Sequence, residues 1–162
     1  MLREYLKAVV EDDVFRIDGI RRNTQKLWLL LRSLARNEST TATDGTLQRD
    51  IKASDGQDIS IDTVAAYLDI FRRLYLLDEQ PAFSVELRSS TRVKQAAKRH
   101  FVDPSLAAAL LGATPEKLLN NLETAGFLFE ALCERDLRFY AEAWEHRCIT
   151  TRITAAGKWM LS

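Results

Sequence analysis

The sequence predicts a mainly α-helical chain built around a winged helix-turn-helix, with flanking helices and a short β-ribbon. Three observations carry that expectation. Apolar residues recur at i, i+3 and i+4 through most of the chain. Several of these periodic stretches open on a capping residue, with Asp103-Pro104 and Thr114-Pro115 the clearest. A short helix, a polar turn, a longer helix and then an extended, partly basic stretch follow one another once, between residues 46 and 101.

Leu2, Leu6, Val9, Val10 and Val14 share a helical spacing, and Gly19 suits the cap that ends this first helix. Asn23 or Thr24 caps a second helix to about Asn37, apolar nearly all round at Lys26-Leu-Trp-Leu-Leu-Leu-Arg-Ser-Leu-Ala and therefore expected to be buried. Residues 37–45 read as a turn-rich loop, and Thr46 to Lys52 as a short helix. With Ser60 as N-cap and Asp62 at the positive end of the helix dipole, Ile61, Val64, Leu68, Phe71 and Tyr75 form the best ladder in the chain. Two short strands, Leu74 to Asp78 and Pro81 to Arg88, are expected to form the ribbon, with Phe101-Val102 as a strand end. Helices then follow from Asp103-Pro104 to Gly112 and from Thr114-Pro115 to about Leu122. The last begins after Gly126, with Phe129, Leu132, Cys133, Leu137, Tyr140 and Trp144 on one face. These elements suggest an N-terminal helical segment over 1–40, a winged-helix domain over 41–112 and a further helical segment over 113–162.

Composition narrows the function classes. The chain has 162 residues, of which 46% are apolar, enough for a core. Lys and Arg number 23 and Asp and Glu also 23, so contact with nucleic acid has to come from a local basic patch. Cys133 and Cys148 are too few for a disulfide framework or a zinc cage, and a reduced cytoplasmic protein is the plain expectation. Charges from the third residue argue against a signal peptide, and the run Leu27 to Leu31 is far short of the roughly 20 apolar residues that span a bilayer.

Residues 87–100 hold Arg88, Arg92, Lys94, Lys98 and Arg99 and no acid. Together with Thr63, Arg72 and Arg73 of the expected groove-facing helix at 61–73, they are the candidate nucleic-acid contacts. Asp62 and Asp69 on that helix would repel phosphates, and the basic stretch lacks interleaved aromatics for stacking bases. Weak, non-specific DNA binding is therefore the most that this pattern predicts, with an ordinary solvated wing as the plainer alternative.

Four segments together resemble one family. They are Tyr5-Leu-Lys-Ala-Val-Val-Glu-Asp-Asp-Val-Phe-Arg, Thr63-Val-Ala-Ala-Tyr-Leu-Asp, Lys98-Arg-His-Phe-Val-Asp-Pro-Ser-Leu-Ala-Ala-Ala-Leu-Leu-Gly and Gly126-Phe-Leu-Phe-Glu-Ala-Leu-Cys-Glu-Arg-Asp-Leu-Arg-Phe-Tyr. In that order they are similar to the C-terminal region of unknown function in prokaryotic AAA+-type ATPases. The resemblance implies a winged helix followed by a restriction-endonuclease-like segment, and an ATPase domain as partner. Two departures matter. The chain has no G-x-x-x-x-G-K-[ST], so it lacks that route to a nucleotide phosphate. Glu130 matches the family's helix glutamate, yet no Asp or Glu follows Glu145 to complete a magnesium site, which suggests a truncated nuclease-like segment.

No other chemistry is expected. His100 and His146 lack metal-ligand spacing, Cys133 sits on an apolar helix face as a core filler, and Glu130 with Glu134 reads as a solvated acidic face. The sequence thus predicts no catalytic residues, no metal and no cofactor. It points to a binding and coupling module, acting on DNA or docking on an ATPase domain, that self-associates through residues 126–144 because strands that would cover the helix are missing.

Overall fold

The computed structural model of the chain describes residues 1–80 and 96–143. Over these residues the protein is mainly helical, with one small antiparallel sheet. The first helix runs through α1 (Leu2–Ala8), a π-helical turn (Val9–Asp13) and α2 (Val14–Arg16), and it buries Leu6, Val9, Val10 and Val14. Its end at the left-handed Gly19 is the one expected. Next, α3 (Thr24–Arg36) starts on Asn23, whose side chain accepts the Lys26 N–H, and it buries Leu27, Leu29, Leu30, Leu31 and Leu34. Trp28 packs against the same core from its edge.

Thr43 caps α4 (Asp44–Asp55), which is longer at both ends than the expected Thr46 to Lys52. Ser60 caps α5 (Ile61–Arg73) through the Thr63 N–H, as its sequence suggests. The ladder is cut short at its C-terminus. Tyr75 turns to φ 54°, its N–H donates to Arg72 O and the Leu76 N–H to Phe71 O, so the chain leaves the helix and enters a strand.

The sheet places the first expected strand, shifted to Leu77–Gln80, beside the strand that ends at Phe101. Strand β1 (Leu77–Gln80) pairs antiparallel with β2 (Lys98–Phe101), Leu77 opposite Phe101 and Gln80 opposite Lys98. Residues 81–88, expected to supply the second strand, lie outside the described residues. Thr40 adds a single antiparallel bridge to Arg99 on the far side of β2. Of β2 only the end at Phe101 was expected, because Phe101 is its one large apolar residue and Lys98 and His100 disguise the rest of its buried face.

Beyond the sheet come α6 (Pro104–Leu111), capped by Asp103 and ended by left-handed Gly112, then α7 (Pro115–Leu119) and α8 (Leu122–Ala143). The last helix starts four residues before Gly126, which lies inside it. One hydrophobic core joins Leu6, Leu30, Leu47, Leu68, Phe71 and Phe101 with Leu106 and Ala107. The expected boundary between residues 40 and 41 therefore runs through a shared core rather than between two. Among the described residues no helix is long and apolar enough to cross a membrane.

Candidate functional site

α8 rests on the rest of the protein with its charged side inward. Residues 130, 134 and 138 are one helical turn apart each and project to one face. On that face Glu130 and Glu134 meet Lys98, and Arg138 meets Asp78 of β1. Strand geometry supplies the matching partners, because Lys98 and His100 are two residues apart and so share one face of β2. Ala131 is buried here and Leu128 packs on the core. The large side chains point the other way: Phe129 is 66% exposed, Leu137 60%, Phe139 72% and Tyr140 63%. Phe129, Leu132, Leu137 and Tyr140 of the apolar stripe read from the sequence thus lie on the solvent face of α8, Trp144 lies outside the described residues, and the acidic pair expected in solvent is the docked one. Cys133 is half-buried rather than a core filler.

The centre of the joint is His100, buried between two carboxylates. Its Nδ1 lies 3.6 Å from Glu38 Oε1 and 3.3 Å from Ser39 Oγ, while its Nε2 faces Glu134 Oε2. Among the described residues neither Nε2 nor that oxygen has another hydrogen-bond partner. Glu38, 3% exposed, also accepts the Phe101 N–H, at 3.1 Å to Oε1. Ser39 holds a left-handed conformation at φ 60°, and its hydroxyl donates to Phe127 O of α8 at 3.0 Å. A buried non-glycine residue in that conformation is strained and has to be held in place by its surroundings.

Burial and charge pull these groups in opposite directions. Burial lowers the pKa of His100, but hydrogen bonds and charges from Glu134 and Glu38 more than reverse this and leave it raised above 6.5. Burial raises Glu38, only partly offset by His100 and the Phe101 N–H. In Glu134 the burial effect is outweighed by His100 and Lys98, so its carboxyl titrates below the ordinary range. In Lys98, likewise, burial is outweighed by Glu130 and Glu134, which raise its pKa.

A serine, a histidine and a glutamate in line invite comparison with a nucleophilic triad. The geometry gives Ser39 no substrate access, since it is 4% exposed under α8 and its proton is committed to Phe127 O. Lys98 fills the space between Glu130 and Glu134 that a cation would need, and among the described residues no set of His, Cys, Asp and Glu is arranged to hold a metal ion.

The candidate nucleic-acid contacts scatter. Lys98 is buried and paired as above, a correction to its place in a solvent-facing basic set. Arg99 is corrected in the same way: it donates to Glu79 at 3.0 Å, Ala42 O at 2.7 Å and Asp44 at 2.7 Å, tying β2 to β1 and to the start of α4. Arg72 lies 3.2 Å from Glu79, and Thr63 Oγ1 is 2.8 Å from Ser60 Oγ at the cap of α5. Arg73 is exposed. Arg88, Arg92 and Lys94 lie outside the described residues. Glu38 and Ser39 escaped the sequence reading as site residues, and His100 entered it only as a metal ligand set aside for want of spacing. The only local trace was the pairing of spacings, two on a strand and four on a helix, which nothing short of the fold brings together.

A domain-of-unknown-function family, DUF8612, matches residues 1–117. The chain belongs to it. Within the DUF8612 span lie Glu38, Ser39, Lys98 and His100, while α8 with Glu130 and Glu134 lies beyond it. Comparison with curated proteins and with solved structures gives no match.

Proposed function

We propose that this protein is a non-catalytic winged-helix coupling module that works through protein contact, with α8 as its arm. The order α3, the Thr40 bridge, α4, α5, β1 and β2 is that of a winged helix-turn-helix, which supports the architecture. The resemblance to AAA+-type ATPases supplies an ATPase domain as a further partner. The observation that carries the reading is the reversed amphipathicity of α8. A helix that spends its charges on docking and leaves Phe129, Leu132, Leu137, Phe139 and Tyr140 outward has its burial still to come.

The occupant of that face is a second copy of the chain. Each aromatic side chain brings about 150–250 Å2, so the face exceeds the few hundred Å2 that monomers leave open and approaches the roughly 800 Å2 per partner of a standard interface. Arg135 and Asp136 put both signs of charge beside it, which suits pairing of a helix with its own copy across a two-fold axis. Sedimentation across a concentration series tests this: the parent dimerises and the Leu132→Glu, Tyr140→Glu double variant stays a folded monomer. A parent that is monomeric throughout ends the proposal.

Weak, non-specific DNA contact is the second reading, resting on exposed Arg73 with Arg88, Arg92 and Lys94. The outward acids Asp62 and Asp69 on α5, and the inward turn of Lys98 and Arg99, weigh against it.

A further inference from the structure

We propose that His100 is a proton-operated latch for α8: charged, it clamps the helix to the sheet, and on losing its proton it releases the helix's inner face. The inference rests on α8 being the coupling arm.

The argument starts from counting hydrogens. The Ser39 hydroxyl has one proton, and Phe127 O takes it. Toward His100 Nδ1, 3.3 Å away, Ser39 Oγ can then only accept, so Nδ1 must carry a hydrogen. On the other side Nε2 faces a carboxylate oxygen of Glu134, which cannot donate when ionised, so Nε2 must carry one as well. Only the imidazolium satisfies both neighbours. Either neutral tautomer leaves a lone pair facing an oxygen, at Ser39 and Glu38 on one side or at Glu134 on the other.

The charged groups of the joint come from three elements: Glu38 in the segment between α3 and α4 and Glu134 on α8 face the ring, and Lys98 on β2 with Glu130 on α8 stand one contact further out, through Glu134. With His100 charged, two cations stand against three carboxylates. Without it, Lys98 is left with Glu130 and Glu134, and among the described residues Glu38 loses the cation it is paired with. The raised pKa of His100 agrees with this geometry. The sign follows: a folded value above the unfolded one gives a contribution fully present at low pH and lost as pH rises through the folded value, above 6.5.

The consequence is local, because α8 touches the core of Leu30, Leu68 and Phe71 only from its margin, through the partly buried Leu128. Hydrogen exchange of the full chain, read as protection factors for the amides of α8 and of α3 between pH 6 and 9, tests the latch at concentrations below any dimerisation. The α8 protection should fall roughly tenfold or more across the His100 titration while α3 holds. His100→Gln should show low α8 protection at every pH, and long-range nitrogen NMR of the parent at pH 6 should show both ring nitrogens protonated. Protection of α8 that is independent of pH in the parent overturns the latch, as does a neutral ring at pH 6. Neither measurement requires a dimer, so failure of self-association in sedimentation is distinguishable from failure of the latch.

Discussion

Lys98 Nζ lies 3.1 Å from Glu134 Oε1, and this pair joins the strand of the small sheet to the last helix across 36 positions of sequence. Its ammonium keeps its charge at any ordinary pH, whereas His100 can lose its own. Lys98→Ala leaves Glu130 and Glu134 facing each other half-buried, and urea denaturation should show a loss of about 3 kcal/mol. Adding Glu134→Gln should cost less in that background than in the parent, because the carboxylate is by then unpaired. Equal costs in both backgrounds would mean that the pair contributes nothing.

The charge layout makes a prediction for DNA that differs from the one the sequence suggests. Because Lys98 and Arg99 are committed to carboxylates, any duplex binding falls to Arg73, Arg88, Arg92 and Lys94. Anisotropy with labelled duplex should show dissociation constants weaker than about 10 μM at physiological salt, near the non-specific range. Replacing Arg88, Arg92 and Lys94 by Ala should remove what binding there is. Tight binding that survives this triple variant would place recognition elsewhere.

Tyr75 gives a test of backbone strain without confounding contacts. It is 83% exposed and sits at φ 54° where α5 hands over to β1. Left-handed backbone costs an L-residue about 1–2 kcal/mol, which glycine avoids at the expense of a more flexible unfolded chain. Tyr75→Gly should therefore be neutral or stabilising by up to about 1 kcal/mol, whereas Tyr75→Val should destabilise by about 1 kcal/mol. A destabilising glycine, seen as a lower melting temperature, would show that the tyrosine side chain matters after all.

What the sequence determined by itself is where the helices with a capping residue at their ends begin or stop. Asn23, Ser60, Asp103 and Thr114 each accept a backbone N–H two or three residues on, and Gly19 and Gly112 end their helices in the left-handed conformation. Those interactions are complete within one turn, so they are legible in a short stretch of chain. The face of α3 was legible too, because a helix apolar nearly all round has only the core to occupy. Tertiary structure alone decided the rest. Which way α8 turns depended on Lys98 and His100 waiting for Glu130 and Glu134, and periodicity assigns the large side chains inward only when no such ion pairs compete. That β1 would pair with Lys98–Phe101 turned on residues about 20 apart in sequence, with a strand whose polar residues hid its buried face. Ser39 and His100, 61 residues apart, become neighbours only when the Thr40 bridge brings the segment after α3 alongside β2. Local spacing encodes elements, whereas a buried charge network exists only once long-range packing has removed the water that would otherwise screen it.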